Sequence, residues 1–95
     1  MADTIRVGAG CLNQTPMDWS GNRRRILETI HQAREADVSI LCLPELAITG
    51  YGCEDQFLSH ELAERAWDSL QKIVPETRGL VVAVGLPVWV KNAVY

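Results

Sequence analysis

Ninety-five residues, 47% of them hydrophobic and 22% charged, bound the chain to at most one domain with a modest core and exclude a disordered segment. Nine basic against twelve acidic residues give a net charge of −3, which favours neither nucleic acid nor an anionic membrane as a partner. No apolar run approaches the ~20 residues of a membrane span, and Asp3 stands where a secretory leader carries basic residues.

The first expected element lies in TIRVGAGCLN, residues 4–13. Ile5, Val7, Ala9 and Cys11 recur there at period two, with glycines that let something pack close on one face. QTPMDWSGN is a polar loop, and Asn22 is expected to cap the helix that follows. In that helix Ile26, Leu27, Ile30 and Ala33 form an apolar stripe opposite Arg23, Arg24, Glu28, Gln32 and Glu35. VSILCLP is apolar apart from Ser39, as expected of a strand covered on both faces in a mostly parallel sheet. After a turn, Ser59 precedes a second helix with Leu62, Ala63, Ala66, Leu70 and Ile73 as its buried stripe, ended by Pro75 and Gly79. GLVVAVGLPVWV reads as a third strand and AVY as the start of a fourth, after a turn at Lys91-Asn92. The expected class is therefore α/β, with parallel strands and helices on at least one face.

Three cysteines, spaced 31 and 11 residues apart with no C-x-x-C pair, form neither a disulfide framework nor a zinc pattern. Metal ligation is not expected, and a reduced, cytoplasmic protein is the simplest reading. Cys11 and Cys42 lie in apolar stretches and are expected to be buried. Cys53, in the polar turn, is the one expected reactive thiol. The Arg23-Arg24-Arg25 cluster is expected on the solvated side of its helix, Trp19, Trp67 and Trp89 in packing roles, and Asp55 as the cap of a short turn at residues 56–58.

Glu45 is the candidate catalytic residue. In open α/β sheets the chemistry gathers beyond the carboxyl ends of the strands, and Glu45 stands two residues past such an end. Pro44 keeps Leu43 extended and so fixes where the following side chain points. A carboxylate partly desolvated on the rim of an apolar sheet binds a proton more readily, which suits a general base near neutral pH. The competing role is structural, with Glu45 capping backbone amides or pairing with an arginine.

LPELAITGYG, residues 43–52, resembles the first catalytic motif of the nitrilase, or carbon-nitrogen hydrolase, superfamily. CLNQTPMDWSGN, GYGCEDQFL and VGLPVWVKNAVY resemble more narrowly the glutaminase domain at the N-terminus of the glutamine-dependent NAD synthetases, and the likeness runs over essentially the whole chain. The resemblance implies a four-layer αββα sandwich in which Glu45 matches the glutamate of a Glu-Lys-Cys triad. It implies hydrolysis of the glutamine amide, with the ammonia passing to a separate synthetase domain that uses ATP and magnesium to amidate nicotinic acid adenine dinucleotide to NAD. Such enzymes are commonly large homo-oligomers. By the same resemblance Tyr51 lines the active-site entrance and contacts substrate; the alternative is an aromatic ring packed over the turn.

In this family the triad lysine and cysteine follow the stretch at hand, so Lys91, Cys11, Cys42 and Cys53 are not assigned those roles; Lys91 reads as a turn residue. Residues 1–95 are thus expected to be the N-terminal portion of an incomplete glutaminase domain, inactive alone and without a cofactor site. Two rivals remain: another amide or nitrile as substrate on the same fold, and a short non-catalytic chain that binds or oligomerises through its sheet edge.

Overall fold

The computed structural model describes residues 4–95, Asp55 by its backbone only. Strands β1 (Val7–Ala9), β2 (Ile40–Cys42) and β3 (Val81–Ala83) form a parallel sheet in the order β1-β2-β3. Helix α1 (Trp19–Glu35) connects the first two strands and α2 (His60–Ile73) precedes the third, giving the expected α/β class.

The register sorts the sheet into rows. Gly8, Leu41 and Val82 are paired across it, and Leu41 is buried with Ile26, Ile30 and Ala33 of α1 and Ala66 and Ile73 of α2. Val7, Ile40 and Val81 form the row before it and Ala9, Cys42 and Ala83 the row after, both on the opposite face. There Val7 and Val81 are about two-thirds exposed, at 65% and 64%. The strand expected to be covered on both faces is therefore covered on one. An apolar face of this kind is stable where another layer packs on it.

The helices follow the expected stripes with corrections at their ends. α1 starts before Asn22, and its N-cap is Asp18, whose carboxylate accepts from the Gly21 N–H at 3.1 Å. Ser59 is the N-cap of α2 as expected, although its side chain makes no capping bond. The second helix gives way at Val74–Glu76 to a 3-10 turn containing Pro75, and Gly79 has a φ of +83°. Arg34, from the last turn of α1, donates to the Glu76 carbonyl at 2.6 Å and to that of Arg78 at 3.0 Å, tying the approach to β3 to the helix.

The expected third strand is shorter than its apolar run. Pairing in the parallel sheet ends at Ala83, residues 84–88 leave it, and Trp89–Val90 (β4) then pairs antiparallel with Ala93–Val94 (β5). AVY is a strand as expected, but in a hairpin rather than in the main sheet. Its two-residue turn is Lys91-Asn92, both at positive φ (48° and 69°), the primed geometry that matches strand twist. A run that is apolar throughout cannot by itself mark where a strand changes partners.

The cysteines invert the expectation. Cys11 and Cys42 are exposed, Cys42 in a row on the open sheet face, whereas Cys53 is buried with its thiol against the Thr49 and Gly50 carbonyls at 3.4 and 3.6 Å. Cys53 is thus a packing residue of the turn. The short turn after it is a 3-10 helix over Glu54–Leu58 with Cys53 at its N-cap, so the start expected at Asp55 falls inside it; the Asp55 side chain lies outside the described residues. Among the tryptophans, Trp19 lies under the Arg65 guanidinium at 5.1 Å and Trp89 stacks on His60 with ring centres 3.9 Å apart. Trp67 is 47% exposed.

Candidate active site

Beyond β2 the Leu43 N–H donates to the Ala83 carbonyl at 2.9 Å, prolonging the ladder to the residue before Pro44. The chain then coils tightly: Ala47 N–H reaches the Pro44 carbonyl at 3.2 Å and Gly50 N–H the Leu46 carbonyl at 2.8 Å. Ala47, Ile48, Thr49 and Gly50 are all buried, so the coil is part of the core. Glu45 stands at its start and is exposed.

Among the described residues the Glu45 carboxylate has no hydrogen-bond or ion-pair partner, which disfavours the capping and arginine-pairing roles. Its exposure also departs from the expected desolvation, because Leu43, Leu46 and the residues across from them stop short of enclosing it. Glu45 lines a largely apolar cleft of about 580 Å³, shared with Leu46, Phe57, Gly85, Leu86, Val94 and Tyr95. That volume is in the usual range of small-molecule sites. Tyr51 does not line this cleft; it is 58% exposed on the far part of the coil. The structure therefore does not bring Glu45 and Tyr51 to one cavity within these residues.

Two contacts fix the coil from opposite sides. On one, a Cβ at Gly85 would overlap the Glu45 carbonyl group outright and lie 2.7 Å from Glu45 Cα. On the other, the side chains of Gln14 and Asn22 grip its carbonyls. Gln14 Nε2 donates to Ala47 O at 2.6 Å, and Asn22 Nδ2 to Ile48 O at 3.0 Å. Asn22 is fully buried and saturated: Nδ2 also reaches Thr15 O, while Oδ1 accepts from Thr15 N–H and from Arg25. The Met17 N–H adds a bond to Thr49 O at 2.8 Å.

Asn22 and Arg25 thus leave the roles expected for them. Asn22 is not the helix cap, and Arg25 turns inward from the basic cluster to donate to Gln14 Oε1 and Asn22 Oδ1, each at 2.7 Å. A signal for Asn22 was present, since residues 22, 26 and 30 recur at a spacing of four and place it on the apolar stripe. No signal marked Gln14 or Gly85, whose contacts with the coil span over thirty residues of sequence.

Lys91 occupies the hairpin turn. No group of three or more His, Cys, Asp or Glu among the described residues gathers as a metal would require, and no helix among them is long and apolar enough to cross a membrane.

The carbon-nitrogen hydrolase family matches residues 6–95. A glutamine-dependent NAD(+) synthetase of Saccharomyces cerevisiae is 40% identical over 97 aligned positions, covering all of this chain and 14% of the yeast protein. The crystal structure of a glutamine-dependent NAD(+) synthetase from Cytophaga hutchinsonii superimposes with a TM-score of 0.95 at 46% identity, over 98% of this chain and 16% of that one. The Acinetobacter baumannii glutamine-dependent NAD+ synthetase, at 22% identity and a TM-score of 0.74 over 90% of this chain and 16% of its own, shares the fold. The chain thus spans about one-seventh of the length of the yeast relative.

Proposed function

The chain belongs to the carbon-nitrogen hydrolase family, and from that premise we propose that it forms the first part of the glutaminase domain of a glutamine-dependent NAD synthetase, with Glu45 as general base. The observation that carries this is the position of Glu45: an exposed carboxylate residue with no side-chain partner among the described residues, on a held coil at the carboxyl end of a parallel strand and lining an apolar cleft. What singles Glu45 out from other exposed carboxylates is its place just beyond the carboxyl end of a parallel strand, where open α/β sheets gather their chemistry.

In this reading Glu45 takes the proton from a cysteine thiol supplied by a later part of the protein. The thiolate attacks the carbonyl carbon of the glutamine side-chain amide, and a lysine with backbone donors holds the developing oxyanion. The C–N bond breaks, ammonia leaves with the returned proton, and a thioester remains. Glu45 then draws a proton from water, whose oxygen displaces the thiolate and releases glutamate. The ammonia serves the ATP- and magnesium-dependent amidation of nicotinic acid adenine dinucleotide elsewhere in the protein. The cysteines and lysine present here suit the triad poorly: Cys53 is buried against backbone carbonyls, Cys42 sits on the open sheet face and Lys91 in a hairpin turn. In this reading these residues alone are inactive.

The exposed sheet face fits the four-layer sandwich, since a second sheet laid on Val7, Ile40, Cys42 and Val81 would cover it. Covering layers would also remove water from around Glu45 and supply the desolvation that this part of the fold lacks.

The test uses the complete gene product and compares NAD formation from glutamine and from ammonium. Glu45→Gln abolishes the first and leaves the second. Equal rates for wild type and variant would return Glu45 to a structural role, and no NAD formation from either donor would point to another amide as substrate.

A further inference from the structure

Gly85 is not among the glycines with positive φ, so its backbone suits any residue. What demands glycine there is space: a Cβ would fall on the Glu45 carbonyl group, backbone against backbone, where no flexible side chain can swing aside. The Gly85 carbonyl also accepts from Ile48 N–H at 3.4 Å, so residue 85 touches the coil at both its start and its middle. From the opposite side Gln14 holds Ala47 O. Its orientation is chemically determined, because Oε1 accepts from Arg25 Nε at 2.7 Å and Nε2 faces two carbonyls, Ala47 O and Asn22 O. Among the described residues the Glu45 carboxylate has no hydrogen bond or ion pair of its own to aim it. Its direction follows from the backbone held between these two residues.

We propose that Gly85 and Gln14 are positioning residues for Glu45, acting through the backbone of residues 45–48 to set where its carboxylate points. This rests on the assignment of Glu45 as general base and adds to it the means by which an otherwise unsupported side chain is pre-aimed. A β-carbon at 85 falls on the Glu45 backbone and so displaces the base; Gly85 also borders the cleft, whereas Gln14 does not, so Gln14→Met separates positioning from substrate space. Displacing a catalytic group by about 1 Å costs on the order of 10²-fold in rate.

The experiment uses the complete protein and measures kcat and KM for glutamine hydrolysis, ammonium-driven NAD formation and thermal unfolding. The variants are Gly85→Ala, Gln14→Met and Glu45→Gln, with Gly8→Ala in β1 as control, since a Cβ there meets only the Val38 and Leu41 side chains, at 3.4 Å or more. The expected result is a kcat lowered about 10²-fold in Gly85→Ala and at least about tenfold in Gln14→Met, with KM for glutamine and the ammonium-driven rate kept and Gly8→Ala at wild type. Wild-type kcat in both positioning variants, with Glu45→Gln inactive, overturns the positioning role and leaves Glu45 as base. A wild-type glutamine rate in Glu45→Gln removes the base and the positioning role together. If Gly85→Ala fails to fold, Gln14→Met decides, and a wild-type kcat in it, or a kcat loss matched by a rise in KM, counts against the proposal.

Discussion

Asn22 Nδ2 donates to the carbonyl oxygen of Ile48 at 3.0 Å, joining a fully buried helical side chain to the middle of the coil that begins with Glu45. The two residues are 26 positions apart. Through this bond the first turn of α1 fixes the end of β2, and the loop before α1 is caught in the same network.

Replacing Asn22 by Leu removes four hydrogen bonds and strands the buried Ile48 carbonyl, while exposed Thr15 loses two bonds but keeps the Asp18 N–H on its carbonyl. A buried group left without a partner costs about 1–3 kcal/mol, so a loss in that range is expected. Denaturant unfolding followed by a probe in this domain measures it. A loss below about 0.5 kcal/mol, the range of ordinary surface changes, would show that the network is not held by Asn22.

Glu45→Gln is expected to leave stability unchanged, within about 0.5 kcal/mol, because the carboxylate is exposed and unpaired among the described residues. Loss of a general base lowers rates by about 10²–10⁴-fold. Glutamine hydrolysis in the complete protein should therefore collapse at an unchanged unfolding temperature. A parallel fall in both quantities would instead mark Glu45 as a structural residue.

Gly50 and Gly79 separate two reasons for glycine. Both have positive φ, +82° and +83°, but a Cβ at Gly50 also meets the Pro16 and Thr15 backbone at 2.9 Å while one at Gly79 meets nothing within 4 Å. Gly79→Ala should cost about 1–2 kcal/mol, the left-handed penalty alone. Gly50→Ala should cost clearly more and disturb the coil that carries Glu45. Equal unfolding temperatures for the two variants would show that the Pro16 contact yields easily.

Cys42 reports on the open face of the sheet. If a second sheet covers that face in the complete protein, Cys42 resists iodoacetamide in the native state as buried Cys53 does, and both react once the protein is denatured. Mass spectrometry of peptides from briefly labelled protein gives the comparison. Rapid native labelling of Cys42 would leave the four-layer arrangement without its covering layer.

Period and punctuation in the sequence were enough to determine the strand, helix and strand about VGA, the Ile26–Ile30–Ala33 stripe and ILC, the Ser59 start of α2 and the Lys91-Asn92 turn. These features are local: side-chain spacing on a helix or strand and the φ preferences of turn residues act over a few positions. Glu45 was legible as a candidate for the same reason, a carboxylate placed just after a proline at a strand end. What only the tertiary structure decided lies between distant residues. It made Asn22 a core hydrogen-bonding hub rather than a cap, turned Cys53 inward and Cys42 outward, ended the parallel pairing at Ala83 and brought Gly85 against Glu45. Apart from the place of Asn22 on the stripe with Ile26 and Ile30, none of these has a sequence period, because each depends on which backbone segments meet once the sheet is assembled, and close packing then dictates the residue at the contact.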